Sequence, residues 1–178
     1  MTRHFTVEEN RAWQKTLPTK TMSSLCLFSD PSGRLLIVKP TYKSGWSMVG
    51  GNVDDHESPL GAMVRETKEE IGLALLPERF SFLLLKYNAP NDGFTDSLTI
   101  MFTARLTDAE TRTIKLQADE LEELRWVDDG EADALGLRDS MTAGLAAMSK
   151  GTGYAEGPDI VIPGHLPLEE STNQESLT

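Results

Sequence analysis

Cysteine is close to absent from this chain. Cys26 is the only one among 178 residues, so no internal disulfide can form, and its setting in Ser24-Leu25-Cys26-Leu27-Phe28 predicts a buried thiol in a reducing compartment. Histidine is scarce as well: His4, His56 and His165 are the only three, at spacings that argue against a zinc site. No run of about 18 apolar residues occurs, which argues against a membrane-spanning helix. Met1 to Glu9 lacks the apolar core of a signal peptide. A cytoplasmic location without a membrane partner is the default expectation. Positive charge is also short: Lys and Arg number 17 against 28 Asp and Glu, a formal net charge of -11. Such a chain repels polyanions over long range, so nucleic acid polymer is not an expected partner. A small phosphorylated ligand stays open, because a bound metal ion inverts the field of an acidic site.

What is present suits a globular protein, with 39% hydrophobic and 25% charged residues. The length fits one domain with its own core. After Lys150 the composition shifts to Gly, Pro, Ser, Glu and Thr, with one apolar patch at Ile160-Val161-Ile162. The expected organisation is a single domain over 1–150 and a polar tail over 151–178 that is largely unpacked.

Residues 7 to 16 predict a short helix capped by Thr6. Met22 to Phe28 and Leu35 to Val38 flank the turn signal Asp30-Pro31-Ser32-Gly33 and predict a hairpin. Ser44 to Val53 reads as a glycine-rich loop. Ser58 and Pro59 read as the N-cap and first residue of a helix. Along it Leu60, Met63, Val64, Thr67 and Ile71 make one core-facing stripe, and Gly72 ends it. Phe80 to Tyr87, Leu98 to Leu106 and Leu121 to Val127 predict strands, with Asn88 to Asp96 as a polar loop between the first two. A final helix is expected over Glu131 to Met148.

The helix ending at Gly72 carries the chemistry. At 100° per residue, Glu69 and Glu70 lie about 60° to one side and 40° to the other of Glu66, so three carboxylates share one face. Like charges at such spacings each cost about 0.2 to 0.5 kcal/mol, and acids in a last turn oppose the helix dipole. A divalent cation reverses that sign, since carboxylate oxygens are the ligands magnesium and manganese prefer. An isolated Glu-Glu pair would be an ordinary solvated face; the surrounding residues make this one more specific.

From Gly51 to Leu73 the order is Gly51, five residues, Glu57, seven residues, Arg65-Glu66, Thr67, Lys68, Glu69-Glu70, Ile71, Gly72 and Leu73. This resembles the Nudix box at every fixed position. At roughly 7% per residue type, seven such positions coincide on the order of once in 10⁸ starting points. Thr67 occupies a site usually apolar, and Val49 stands before Gly50-Gly51 where many members have proline. The order of elements around the box, including the strand end at Trp126-Val127, is similar to the family too.

The resemblance implies an α/β fold, a Nudix-like α/β/α sandwich with a mixed β-sheet between helices. It implies a metal-dependent pyrophosphohydrolase acting on phosphoric anhydrides, with Mg2+ as cofactor and Mn2+ as a substitute. Glu66, Glu69 and Glu70 match the metal-binding positions, and the Gly51 carbonyl is a further oxygen ligand. Arg65, Glu66 and Glu69 form the catalytic set, with Glu57 holding the loop through Arg65, against the alternative of direct metal contact, and Gly72 closing the helix. The general base is open between Glu66 and a distal residue, Glu120 in Gln117-Ala118-Asp119-Glu120. Gly50 and Trp46 are candidates for contact with substrate, Trp46 by stacking on a base against the commoner reading of a core tryptophan. The expected substrate is a small nucleotide derivative: a nucleoside diphosphate linked to another moiety, ADP-ribose-like or a nucleotide sugar, or a nucleoside triphosphate. A homodimer is the assembly such folds commonly adopt. Two other readings stand beside this one: a nucleotide-sensing module without turnover, and an isoprenoid diphosphate isomerase, which would need Cys26 in its pocket.

Overall fold

The computed structural model describes residues 4–90, 93–128, 130–131, 135, 139–151, 153–156 and 160–163. Its helices are α1 (Val7–Gln14), α2 (Pro59–Ile71), α3 (Asp108–Thr113) and α4 (Asp139–Lys150), with a 3-10 turn at Pro77–Arg79. Its strands are β1 (Thr21–Ser29), β2 (Leu35–Pro40), β3 (Val49–Asn52), β4 (Ser81–Asn88), β5 (Ser97–Arg105), β6 (Leu121–Val127), β7 (Gly153–Glu156) and β8 (Ile160–Pro163). Among the described residues no helix is long and apolar enough to cross a membrane.

The strands form one mixed sheet in the order β6-β2-β1-β5-β4-β7-β8, with β3 added against β1. β1 runs parallel to β5 from Thr21 beside Ser97 to Ser29 beside Arg105. Period-two alternation splits the apolar residues between the two faces. Cys26, Phe28, Leu36, Val38 and Phe102 face α2 and pack with Met63 and Ile71. Leu27, Leu35, Ile37 and Met101 face the other way and pack with Ala143 and Ala147 of α4. Because both faces are covered, β1 and β2 read as continuous apolar runs rather than alternating ones.

The expected hairpin forms only at its tip. Asp30 caps the turn, its Oδ1 accepting from the amides of Ser32 and Arg34, each at 2.9 Å. Beyond the single register pair Ser29–Leu35 the strands part. β2 leaves to pair antiparallel with β6, and β3 takes its place beside β1, from Cys26–Val49 to Ser23–Asn52. The stretch read as a glycine-rich loop therefore contains a strand. Its glycines hid it, because Gly50 sits at φ 132 so close to β1 that a Cβ would strike the Ser24 carbonyl.

Helix α2 follows its local signals. Ser58 Oγ accepts from the Gly61 amide at 3.0 Å, Pro59 opens the helix, and Gly72 closes it at φ 72. Thr67, the departure from an apolar box residue, is buried with its hydroxyl donating to the Met63 carbonyl at 2.6 Å. α3 was not expected. Its capping box of Thr107 and Glu110 is complete but none of its residues is buried, so no apolar stripe announces it. Part of the tail is also structured: β7 pairs in parallel with β4, and β8 returns antiparallel on β7. The Ile160-Val161-Ile162 patch is β8, so these residues extend the sheet rather than trailing free. Residues 132–134 and 136–138 of the expected final helix, and 164–178 of the tail, lie outside the described residues.

Candidate active site

α2 and β3 meet at the open end of the sheet, and there the box glutamates share a face but not an environment. Glu70 is buried at 6% exposure. The Glu66 side chain retains 12% exposure and that of Glu69 retains 50%. Burial pushes the Glu70 carboxyl up to about 7; the Gly50 amide, donating to Oε2 at 2.7 Å, opposes this, and the charges of Glu66 and Glu120 add to it. Glu66 is raised too, chiefly by burial, against the pull of Arg65.

Arg65 binds almost everything else. Its Nε and Nη2 donate to the two oxygens of Glu57 at 3.1 and 2.9 Å. Nη1 donates to Glu66 Oε1 at 2.7 Å and Glu69 Oε2 at 3.0 Å, and Nη2 also reaches the Asn52 carbonyl at 3.0 Å. This bidentate fork is the geometry for which lysine is no substitute. The hydrogen bonds from Arg65 hold Glu57 below the ordinary carboxylate range, helped by the Asp54 amide. Glu57 thus ties β3's exit loop to α2. His56, at φ 63, turns outward beside Asp55.

These residues line a cleft of about 300 Å³ that presents five acids, Asp54, Glu66, Glu69, Glu70 and Glu120, against one cation, Arg65. Glu120 arrives from the loop before β6. Tyr42, Gly50, Gly51 and Asn52 also border a neighbouring pocket of about 510 Å³. Its walls include Tyr42, Lys43 and Phe94, and its floor Ser23, Leu25 and Thr99. Tyr42 and Phe94 are 69% and 75% exposed. On the floor the hydroxyls of Ser23 and Thr99 lie 2.9 Å apart, and Asn88 Nδ2 donates to Thr99 Oγ1 at 3.0 Å.

Trp46 lies outside both cavities. It is buried in the core layer facing α4, with Arg125 4.8 Å above its ring. The stacking role considered for it is replaced by a core role. Sequence reasoning missed Tyr42, Lys43 and Phe94; the available signal was an aromatic residue in each of two polar loops. A larger groove of about 650 Å³, lined by Arg79, Phe82, Arg105 and Met148 among others, lies at the opposite ends of these strands and holds no box residue.

Among the described residues no group of three or more His, Cys, Asp or Glu side chains is already arranged as a metal cage. Glu66 and Glu69 are turned to Arg65, and Glu70 to the Gly50 amide. The donor set nevertheless fits a hard divalent cation. It consists of oxygens, it holds a buried carboxylate whose ionisation is disfavoured, and it carries excess negative charge. Gly51 leaves the required room, since a Cβ there would collide with the Glu66 carboxylate.

The NUDIX domain family model matches residues 19–147. The chain belongs to the Nudix family of pyrophosphohydrolases. No curated protein matches it. Among solved structures, the NUDIX domain of Shewanella oneidensis NrtR, complexed with ADP ribose, superposes at TM-score 0.66 with 17% identity, covering 82% of this chain and 98% of that one. An Ap4A hydrolase of C. elegans, in a binary complex, gives TM-score 0.60 with 19% identity over 72% of this chain and 95% of that one. The dihydroneopterin triphosphate pyrophosphohydrolase of E. coli gives 0.55 with 19% identity over 76% and 98%. At these identities the likeness is one of fold.

Proposed function

We propose that the chain hydrolyses the diphosphate linkage of a small nucleotide derivative: a nucleoside diphosphate bearing a second moiety, such as an ADP-ribose-like compound or nucleotide sugar, or a nucleoside triphosphate. The observation that carries this reading is the continuity of the acidic cleft with the aromatic-walled pocket through Gly50, Gly51 and Asn52. A planar base stacked on Tyr42 or Phe94 would leave its phosphates at the carboxylates. Lys43, which lines the pocket and lies within electrostatic reach of Glu70, offers a cation to the phosphates between them.

Glu66, Glu69 and Glu70, with the Gly51 carbonyl, would hold magnesium, or manganese in its place. When bound, that ion supplies neutralisation of the diphosphate and a more acidic water. Arg65 orients Glu66 and Glu69. Glu66 and Glu120 are the two candidates to take the proton of the attacking water, as both border the cleft. Cys26 is wholly buried and burial pushes its thiol well up, which speaks against the isomerase reading.

The test is incubation with nucleoside di- and triphosphate compounds and magnesium, measuring phosphate released after phosphatase coupling. Turnover is expected for the wild type and its loss in a Glu69→Gln, Glu70→Gln double variant. Ligand binding without turnover on any compound would move the assignment to a sensing module.

A further inference from the structure

Glu120 enters the cleft from a loop, yet its backbone is fastened on both sides. The Gln117 amide donates to the Glu70 carbonyl at the end of α2 at 3.0 Å, and the Glu120 amide closes a turn on the Gln117 carbonyl at 3.0 Å. From the opposite side comes Thr41, the first residue after β2. Its amide donates to the Glu120 carbonyl at 2.8 Å. Its hydroxyl contacts the Asp119 carbonyl at 2.9 Å and that of Glu120 at 3.3 Å. The β2–β6 ladder shifts register between Lys39 and Pro40, and proline has no amide to give. Thr41 therefore supplies the attachment that the ladder loses at its end.

We propose that Thr41 is a positioning residue: by gripping the Asp119–Glu120 peptide it keeps the Glu120 carboxylate in the cleft with Glu66 and Glu70. Its catalytic consequence rests on the hydrolase reading above, in which Glu120 is a base candidate. Thr41 is followed by Tyr42 and Lys43, both of which line the neighbouring pocket. One short segment thus carries substrate contacts on two residues and the hold on Glu120 on a third. A ligand seated against Tyr42 and Lys43 restrains the same backbone that fixes Glu120. Thr41 itself is exposed and lines neither cavity, so it acts on turnover through its neighbours, and the double variant below separates Glu120 from the Tyr42–Lys43 segment.

Four proteins test this: Thr41→Val, Thr41→Ser, Glu120→Gln and the Thr41→Val, Glu120→Gln double variant. Thr41→Val is expected to lower kcat about fivefold, the scale of one lost neutral hydrogen bond, with KM little changed. Thr41→Ser keeps the hydroxyl and restores kcat. In the Glu120→Gln background the valine adds nothing, because the carboxylate it positions is gone. Amide hydrogen exchange at Glu120, measured without metal or substrate, is expected to quicken in Thr41→Val and not in Thr41→Ser. The same loss of kcat with and without the Glu120 carboxylate, or unchanged exchange at Glu120, would overturn the proposal. Absence of turnover in the wild type would instead sink the hydrolase reading, and the exchange measurement would then decide the tether by itself.

Discussion

The Gly50 amide donates to Glu70 Oε2 at 2.7 Å, joining β3 to the last turn of α2 across a hydrogen bond that offsets the burial of this carboxylate in the cleft. The bond is not enough, since the carboxyl stands at about 7 against an ordinary 4.5. Between those values the folded chain binds a proton that the unfolded chain has released, so stability falls as pH rises. At full effect this is about 3 kcal/mol. In EDTA the midpoint of thermal unfolding should therefore drop between pH 5 and pH 8, other groups aside, and magnesium at pH 8 should recover it by binding the folded state alone. Glu70→Gln should flatten the pH dependence and remove the response to magnesium. An equal slope in the variant would mean that Glu70 ionises freely.

The two glycines of β3 should fail differently. A Cβ on Gly51 first meets the carboxylate of Glu66, the end of a flexible side chain, whereas on Gly50 it meets the backbone of Ser24 and Leu25 at a positive φ. Gly51→Ala should fold with nearly wild-type stability while turnover falls at least about tenfold, as the displaced carboxylate costs precise placement. Gly50→Ala should cost more than about 1 kcal/mol in stability. Denaturant melts alongside kinetics separate the two; a Gly51→Ala enzyme of full activity would mean Glu66 works from another position.

Glu57 touches Arg65 and the Asp54 amide, and reaches the proposed ion only through Arg65. Supporting residues of this kind typically govern metal affinity by about 10- to 100-fold. Glu57→Gln should accordingly raise the magnesium needed for half-maximal activity by about tenfold while leaving kcat at saturating metal close to wild type. A fall in saturated kcat without a change in the magnesium requirement would place Glu57 among the groups that act on the substrate.

The box was legible because its chemistry is local in sequence: Arg65, Glu66, Glu69 and Glu70 sit on one helix, and Ser58, Pro59 and Gly72 bound it with capping signals that need no tertiary context. Strands β4, β5 and β6 showed through β-branched and apolar content. What stayed hidden depends on distant partners. β3 is defined by its approach to Ser24 rather than by its glycines' propensity, whereas the core place of Trp46 is the commoner of the two readings its sequence offered. The pocket walls Tyr42 and Phe94 lie more than fifty residues apart, brought together as β3 and β5 both pair with β1. β7 and β8 were obscured by a polar tail composition, and the pairing of β7 with β4, on which β8 then builds, is a long-range choice.

Tyr42 and Phe94 should act on binding rather than on chemistry. If a base stacks on them, each alanine substitution should raise KM, with an expected loss of about 1 to 3 kcal/mol for one stacking partner. The carboxylates and Arg65 are unaltered, although Tyr42 also borders their cleft, so kcat should change less than KM. Kinetics on a nucleotide substrate and on a phosphoric anhydride without a base distinguish the cases. An equal rise in KM for both substrates would mean that these aromatics shape the cleft rather than receive a base.

Cys26 has no exposure, and its position in β1 places it in the core layer with Phe28, Val49 and Met63. Burial holds the thiol protonated, which removes a thiolate nucleophile, and keeps it out of the cleft, which denies it contact with substrate as an acid. Cys26→Ser should keep full kcat on the nucleotide substrate, because no part of the side chain borders the cleft. It should also lose stability, since a hydroxyl in that layer replaces a sulfur that packs as a small hydrophobe. Iodoacetamide should leave the native wild type active and label it only on unfolding. Rapid labelling of the folded protein with loss of turnover would put the thiol in the active site and reopen the isomerase chemistry.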